Sequence, residues 1–262
     1  MTEERLRLKD KVVIITGGAQ GLGRAYALGM ADEGAKLVVA DINLEAAEVT
    51  ARDIEAKGRE ALALKTDVSS PESTQEMAKR TVERFGRIDV LVNNAAILGR
   101  VKITRVPFWE LDLDEWDRVL AVNLKGTLLC SRAVFPQMKA QGGGKIIHIT
   151  TSGFFFGNPN YVHYVASKGG IIGLTRAMAR EVGDYNINVN CIAPGATLSE
   201  DPSDKAAFER RKARLESFLP KLCLKRIQYP EDLVGTAIFL ASSDSDFITG
   251  QTIVVDGGDV MH

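Results

Sequence analysis

The chain reads as an α/β fold, a parallel sheet with helices packed on its faces. Three observations predict it. Short runs rich in Val and Ile, such as residues 12–16, are continuously apolar, as in strands buried on both faces. These runs alternate with stretches of helical periodicity along nearly the whole chain, the pattern of parallel strands joined by right-handed crossovers. The first run leads into a glycine-rich turn that opens a helix.

The elements follow in order. After residues 12–16, Leu22, Ala25, Tyr26, Gly29 and Met30 share one face of a helix that Gly34 ends. Residues 37–40 form a second buried strand, ending in Asp41. Asn43 caps a helix with Glu45 and Glu48 near its start, closing at Gly58. Residues 61–64 are a third strand that ends near Asp67, and Ser70-Pro71 is an N-cap and N1 pair for a helix to Phe85 and Gly86. Residues 88–92 are a fourth strand, followed by Asn93-Asn94-Ala95-Ala96. The pattern lapses into a loop over residues 98–111. Asp112 and Glu115 have capping-box-like spacing for one long helix, residues 113–140, stopped by Gly142 to Gly144. A fifth strand (145–150), a helix (161–182) and a sixth strand (187–192) follow. Pro194-Gly195 opens a polar stretch, and then come a short charged helix (206–218), another helix (231–241) and a last strand (252–255). No linker-like segment or internal repeat interrupts the series, so residues 1–262 read as a single domain.

At 262 residues the chain can bury a full core. Its 33 Lys and Arg against 34 Asp and Glu give no reason to expect nucleic acid or an acidic membrane as partner. No apolar run reaches the roughly 18 residues needed to span a bilayer, and the first residues carry no signal-peptide core. Cys130, Cys191 and Cys223 are far apart and odd in number, which suits a reducing compartment and suggests neither a disulfide framework nor a zinc site. The expectation is a cytoplasmic protein with no metal.

Two stretches carry chemistry. Gly17, Gly21 and Gly23 follow a strand and open a helix, whose N-terminus offers free N–H groups and partial positive charge to a phosphate. Glycines let the backbone turn sharply and approach a pyrophosphate closely. Asp41 ends the next strand, where a carboxylate can accept both ribose hydroxyls. A 2′-phosphate would meet like charge there, and Gln20 in the turn adds no positive charge for one, so NAD is favoured over NADP. Asp67, near the third strand's end, is a candidate for the adenine amino group. The second stretch is Tyr164-Val165-Ala166-Ser167-Lys168. Tyr164 and Lys168 lie one helical turn apart and project from the same face. A free tyrosine titrates at roughly 10, and a nearby positive charge favours the phenolate. The pair is therefore a candidate general acid/base, although a packed tyrosine beside a surface lysine has the same spacing.

Taken together, these residues resemble the short-chain dehydrogenase/reductase family. Residues 16–23 match its Thr-Gly-x-x-x-Gly-x-Gly turn, and residues 93–96 its Asn-Asn-Ala-Gly element with Ala96 in place of the glycine. Tyr164 and Lys168 match its Tyr-x-x-x-Lys, and Pro194-Gly195 the turn it places beside the nicotinamide. The resemblance implies a doubly wound, Rossmann-type fold with a single seven-stranded parallel sheet and the cofactor site in the N-terminal half. It implies a nicotinamide cofactor at Gly17, Gln20, Gly21, Leu22, Gly23, Asp41, Ile42, Asp67, Val68, Asn94, Ala95, Ala96, Tyr164, Lys168, Pro194, Gly195 and Thr197. It also implies that Tyr164 is the catalytic acid/base, that Lys168 lowers its pKa and bonds the nicotinamide ribose, and that Asn123 holds a water linking Lys168 to solvent. Helix packing would equally account for Asn123. Where the family usually has a serine ahead of the tyrosine, this chain has Thr151, flanked by Thr150 and Ser152. Thr151 is favoured as the hydroxyl donor, with Ser152 the alternative; either would stabilise charge developing on the substrate oxygen.

Ligands of such sheets lie outside the strands' carboxyl ends, so the loops there set substrate choice. Residues 98–111 include Pro107, Phe108 and Trp109, and Phe154, Phe155 and Phe156 stand in a row before Pro159 and Tyr161. Thr151, Ser152, Gly153, Phe154, Tyr161 and Tyr164 are the candidate substrate contacts. The aromatics imply a hydrophobic, aromatic secondary alcohol or ketone. The surroundings of Tyr161 and His163 and residues 250–262 resemble bacterial aryl-alcohol (phenylethanol-type) dehydrogenases within the family; His163 itself reads as structural. Residues 196–220 resemble the family's lid, with Glu200, Asp201 and Asp204 as solvated charges. The expected function is NAD-dependent hydride transfer with such an alcohol or ketone. One alternative is a 3-oxoacyl thioester reductase, for which no obvious basic patch for an acidic carrier protein is visible. Another is a catalytically silent NAD-binding sensor or scaffold, against which Asn123, Tyr164 and Lys168 argue. The resemblance further implies a homotetramer.

Overall fold

The computed structural model describes residues 6–98, 103–200 and 203–261. Asp201, part of the 98–111 loop and the chain's last residue lie outside them. Seven strands form one sheet: β1 (Val12–Thr16), β2 (Lys36–Asp41), β3 (Ala61–Lys65), β4 (Val90–Asn93), β5 (Gly144–Ile149), β6 (Ile187–Pro194) and β7 (Thr252–Val255). Their order is β3-β2-β1-β4-β5-β6-β7, and all pairs are parallel. This is the doubly wound, Rossmann-type sheet that was expected. Ile14 pairs with Val38 on one side and Leu91 on the other, so the strand order reverses across β1 and β4. A crevice opens at that point, beyond the strands' carboxyl ends.

The continuous apolar runs have a simple cause. Val13, Ile15, Leu37 and Val39 join a core with α1 (Gly21–Asp32), α2 (Leu44–Glu55) and α9 (Glu231–Ala241). Ile14, Val38 and Leu91 point the other way, into a core with α3 (Pro71–Phe85), α5 (Gly126–Ala140) and α7 (Val162–Val182). Side chains alternate between faces, and both faces are covered, so no position in these strands favours a polar residue.

The helix starts follow their caps. Asn43 Oδ1 accepts from Ala46 N at 3.1 Å and Ser70 Oγ from Ser73 N at 3.1 Å. Gly86 ends α3 at φ 77°, a left-handed conformation that suits glycine. Asp112 caps α4 (Leu113–Leu120), but Glu115 does not complete a capping box. Its carboxylate instead accepts from Thr104 N at 2.7 Å and Thr104 Oγ1 at 2.6 Å, and meets His163 Nε2 at 3.0 Å. It therefore ties the loop after β4 to α7, and His163 is structural.

The expected long helix over residues 113–140 is interrupted. A π-helical turn, Ala121–Lys125, separates α4 from α5 and rotates Asn123 into the interior. A second difference is the short α6 (Gly153–Phe156), in a stretch expected to be loop and closed by Gly157 at φ 67°. Among the described residues no helix is long and apolar enough to cross a membrane, and no group of three His, Cys, Asp or Glu could hold a metal ion.

Candidate active site

A cavity of about 1710 Å³ runs along the strands' carboxyl ends, from Asp41 and Ile42 at one end to Tyr161 and α8 (Lys205–Glu216) at the other. Gln20, Leu22, Asp67 and Val68 line its first half with Gly17, Gly21 and Asn94 to Ala96. Thr151, Ser152, Gly153, Tyr164, Lys168, Pro194, Gly195 and Thr197 line the rest. Of the candidates named from sequence, Gly23, Asn123 and Phe154 do not line it.

The glycine turn is held from both sides. Gly17 N donates to Ala40 O at 2.8 Å, and Asn94 Nδ2 donates to Thr16 O and Gly17 O, both at 3.0 Å. Thr16 Oγ1 accepts from Asn94 N and Ala95 N at 3.1 Å each. Gly17 and Gly21 have φ of 63° and 53°, and a Cβ on Gly17 would lie 2.8 Å from Ala95 Cα. Gly23 is buried: a Cβ there would fall 2.0 Å from Gly17 O. It lets the first turn of α1 pack on the loop and does not line the cavity. Asp41 is fixed by the same turn, Oδ2 accepting from Ala19 N at 3.1 Å and Oδ1 from Asn43 N at 3.0 Å. Each oxygen keeps acceptor capacity toward the cavity. Asp67 Oδ1 accepts from Ser69 N at 2.9 Å and Ser69 Oγ at 2.6 Å.

α7 carries Tyr164 and Lys168, both buried. Thr150 Oγ1 donates to Lys168 O at 2.6 Å, which docks α7 on the end of β5. The Thr151 side chain is close enough to the Tyr164 hydroxyl to act on its titration, and its Oγ1 accepts from Gly153 N at 3.1 Å. Of the two hydroxyls left open by the sequence, both line the cavity, and Thr151 is the one that acts on the Tyr164 phenol. Lys168 Nζ donates to Ile149 O at 2.8 Å and sits 6.0 Å from the Tyr164 ring centroid. Burial raises the Tyr164 pKa above its ordinary value, while Thr151 and the charge of Arg211 act to lower it. Burial also pushes Lys168 down to about 8. Asn123 is occupied by protein atoms, Oδ1 accepting from Ile97 N at 2.7 Å and Nδ2 donating to Ser167 Oγ at 3.2 Å. Its side chain fits the packing role.

At the substrate end, Phe154 is displaced from its expected place. Its ring lies on Gly169 of α7, where a Cβ would meet it at 2.6 Å. Phe156 lines the cavity instead. Three successive side chains on a helical turn cannot share a face. Phe108 and Trp109 pack on each other at 5.1 Å and are exposed. The Tyr161 ring stands edge-on to Tyr164 at 6.1 Å, with the Arg105 guanidinium 4.6 Å from its centroid. Thr197 Oγ1 donates to Gln228 Oε1 at 2.9 Å, anchoring the start of the lid.

Sequence reasoning missed the arginines. Arg105, Arg210, Arg211 and Arg214 all reach the cavity. Glu200, expected to be solvated, stands 3.5 Å from Arg211 Nε, and Asp204 caps α8 by accepting from Ala207 N at 3.1 Å. A signal was present: Arg211 falls between Phe208 and Leu215 at helical spacing, on the apolar stripe of a charged helix.

Comparisons with known proteins agree with this geometry. The family model described as enoyl-(acyl carrier protein) reductase matches residues 17–259. A 3-oxoacyl-[acyl-carrier-protein] reductase of Staphylococcus epidermidis is 39% identical over 96% of this chain and 100% of its own. The crystal structure of levodione reductase superposes with a TM-score of 0.88 at 34% identity, covering 96% of this chain and 98% of that one. A short-chain type dehydrogenase/reductase from Mycobacterium marinum gives a TM-score of 0.88 at 31% identity, over 99% of both chains. Fold, motifs and relatives agree: the chain belongs to the short-chain dehydrogenase/reductase family of oxidoreductases.

Proposed function

We propose that this oxidoreductase interconverts a secondary alcohol and its ketone with NAD as the cofactor, and that the substrate has an apolar, aromatic body. The observation that carries the reading is that Tyr164, Thr151 and Lys168 line the same cavity as the glycine turn and Asp41. The residues present fit a dinucleotide. Gly17 forms a cradle that a Cβ would fill, and Asp41 presents a carboxylate already braced by two backbone N–H groups. The N-terminus of α1 would hold the pyrophosphate, Asp41 the adenosine ribose, Asp67 and Val68 the adenine, and Pro194, Gly195 and Thr197 the carboxamide side. The negative charge of Asp41 disfavours a 2′-phosphate. The nicotinamide, when bound, supplies or accepts the hydride.

The chain's own groups handle the proton. Thr151 holds the substrate oxygen beside Tyr164. Tyr164 gives its proton to that oxygen as a ketone is reduced, and takes the hydroxyl proton as an alcohol is oxidised. Because burial raises its pKa, Tyr164 rests as the phenol at neutral pH, the form that donates. Lys168, held by Ile149 O, brings a positive charge beneath the site. Phe156 and Tyr161 supply apolar walls.

The second reading, a 3-oxoacyl thioester reductase, is favoured by the relative's name. Purified protein with NADH, offered acetophenone, acetoacetyl-CoA and a panel of aryl ketones, separates the two at the NADH absorbance band. Faster turnover of aryl ketones supports the first reading; turnover of the thioester alone replaces it with the second.

A further inference from the structure

The cavity's far end holds positive charge that hydride chemistry does not use. Arg211 is its centre. Phe208 and Leu215, on the same stripe of α8, pack with Leu198, Ile227 and Leu219 under the lid. Arg211 stands between them on that stripe and is half-buried. Its Nε is buried without a hydrogen-bond partner, although Glu200 Oε1 stands 3.5 Å away. Its Nη2 makes one long contact, 3.4 Å to Thr197 O. Glu200 is partly engaged elsewhere, accepting from Ser199 N at 3.1 Å. Burial, and then the like charges of Arg214 and Arg105, oppose the charged form of Arg211, while Glu200 supports it. An arginine stays charged regardless, so a half-buried fork with a buried, unpaired Nε and one distant carboxylate has unused donor capacity.

We propose that Arg211, flanked by Arg105 and Arg214, binds a carboxylate carried by the substrate a few bonds from the reacting carbon, so that the natural substrate is a keto acid or hydroxy acid. This rests on the alcohol–ketone reading and narrows its substrate class. Proximity sets the bond count. Arg211 and Tyr164 line the same cavity, and Arg105 lies on the ring that stands edge-on to Tyr164. An anion bound between them is close to the oxygen that Tyr164 protonates. A pantetheine thioester has its phosphate at the far end of a long arm and puts no charge there. A guanidinium fork takes a carboxylate through two parallel hydrogen bonds, which would also fix the face presented for hydride transfer.

The test separates binding from turnover. NADH-saturated protein is titrated by calorimetry with mandelate and 3-hydroxy-3-phenylpropanoate, each against its amide. At least one acid should bind about 30-fold more tightly than its amide, as expected of one charge-assisted pair, and Arg211→Gln should abolish the difference. Glu200→Gln, which removes the competing carboxylate, should tighten the acid by about threefold or more; this arm holds even if Arg211→Gln does not fold. Equal binding of acids and amides, a preference that survives Arg211→Gln, or no gain in Glu200→Gln overturns the proposal. In parallel, phenylglyoxylate and its methyl ester are offered with NADH. Equal kcat/KM for the two overturns the carboxylate site and leaves the ketone reading standing. Acid binding with no ketone turned over sinks that reading and leaves the anion site.

Discussion

Asp41→Asn isolates the charge on which the proposed choice of NAD rests. The amide keeps the shape and can still accept from Ala19 N or Asn43 N, which now meet the carboxylate at 3.1 and 3.0 Å. What disappears is the negative charge that would face the ribose. Hydrogen bonds to a charged acceptor contribute about 1.5–3 kcal/mol against about 0.5–1.5 for neutral partners, so NADH should lose about 1–2 kcal/mol, or about 5–30-fold in Kd. For NADPH the sign reverses. Two unit charges about 4 Å apart repel by about 4 kcal/mol at an effective dielectric near 20, and relief of even a third of that improves binding about tenfold. The ratio of the two Kd values should therefore shift by about 100-fold toward NADPH. Fluorescence titration of NADH and NADPH into both proteins measures it directly. Wild-type protein that binds NADPH as tightly as NADH, or a ratio unmoved by the substitution, would refute the assignment of Asp41.

Three further outcomes follow from other parts of the site. Gly23→Ala places a Cβ 2.0 Å from Gly17 O, a backbone atom that cannot step aside, so stability in urea should fall by about 3 kcal/mol or more; an unchanged midpoint would show that the turn relaxes freely. Phe154→Ala should lower the melting temperature through lost packing on Gly169 and leave KM for aryl ketones alone, whereas Phe156→Ala should raise KM; the reverse pattern would contradict the placement of the two rings. Lys168 is depressed to about 8 in the folded protein from 10.5, so between those values the unfolded chain binds more protons than the native one. Unfolding free energy measured in urea should accordingly rise with pH across that window in the wild type, and the rise should shrink in Lys168→Met; identical slopes would contradict the burial of the amine.

The parts of this molecule legible in its sequence are those decided by local chemistry. The covered sheet shows as unbroken Val and Ile runs, because alternation vanishes when both faces are dry. Asn43, Ser70 and Gly86 mark helix ends, because their side chains or φ angles serve the adjacent backbone directly. The turn from Gly17 to Gly23 and the Tyr164–Lys168 spacing are legible for the same reason. What was not legible depends on distant partners. Glu115 has the spacing of a capping box, but Thr104 and His163 claim it from other elements. The π-helical turn at Asn123 leaves no trace in periodicity, since one widened turn changes which residue points inward without changing composition. Lys168 sits one turn from Tyr164 as expected, yet its amine turns to the Ile149 carbonyl, an acceptor supplied by the end of β5. The direction of Arg211 depends on Leu198 and Ile227 packing beneath α8, and a helix so rich in charge reads as solvated until those contacts are known.

The central claim is that the Tyr164 hydroxyl, and no other group, delivers the proton to the substrate oxygen. Tyr164→Phe removes that oxygen alone. With a ketone the wild type turns over, single-turnover oxidation of NADH by the variant should fall by at least about a hundredfold while NADH binding, read by fluorescence, stays within about twofold. A variant that still oxidises bound NADH at the wild-type rate would contradict the account.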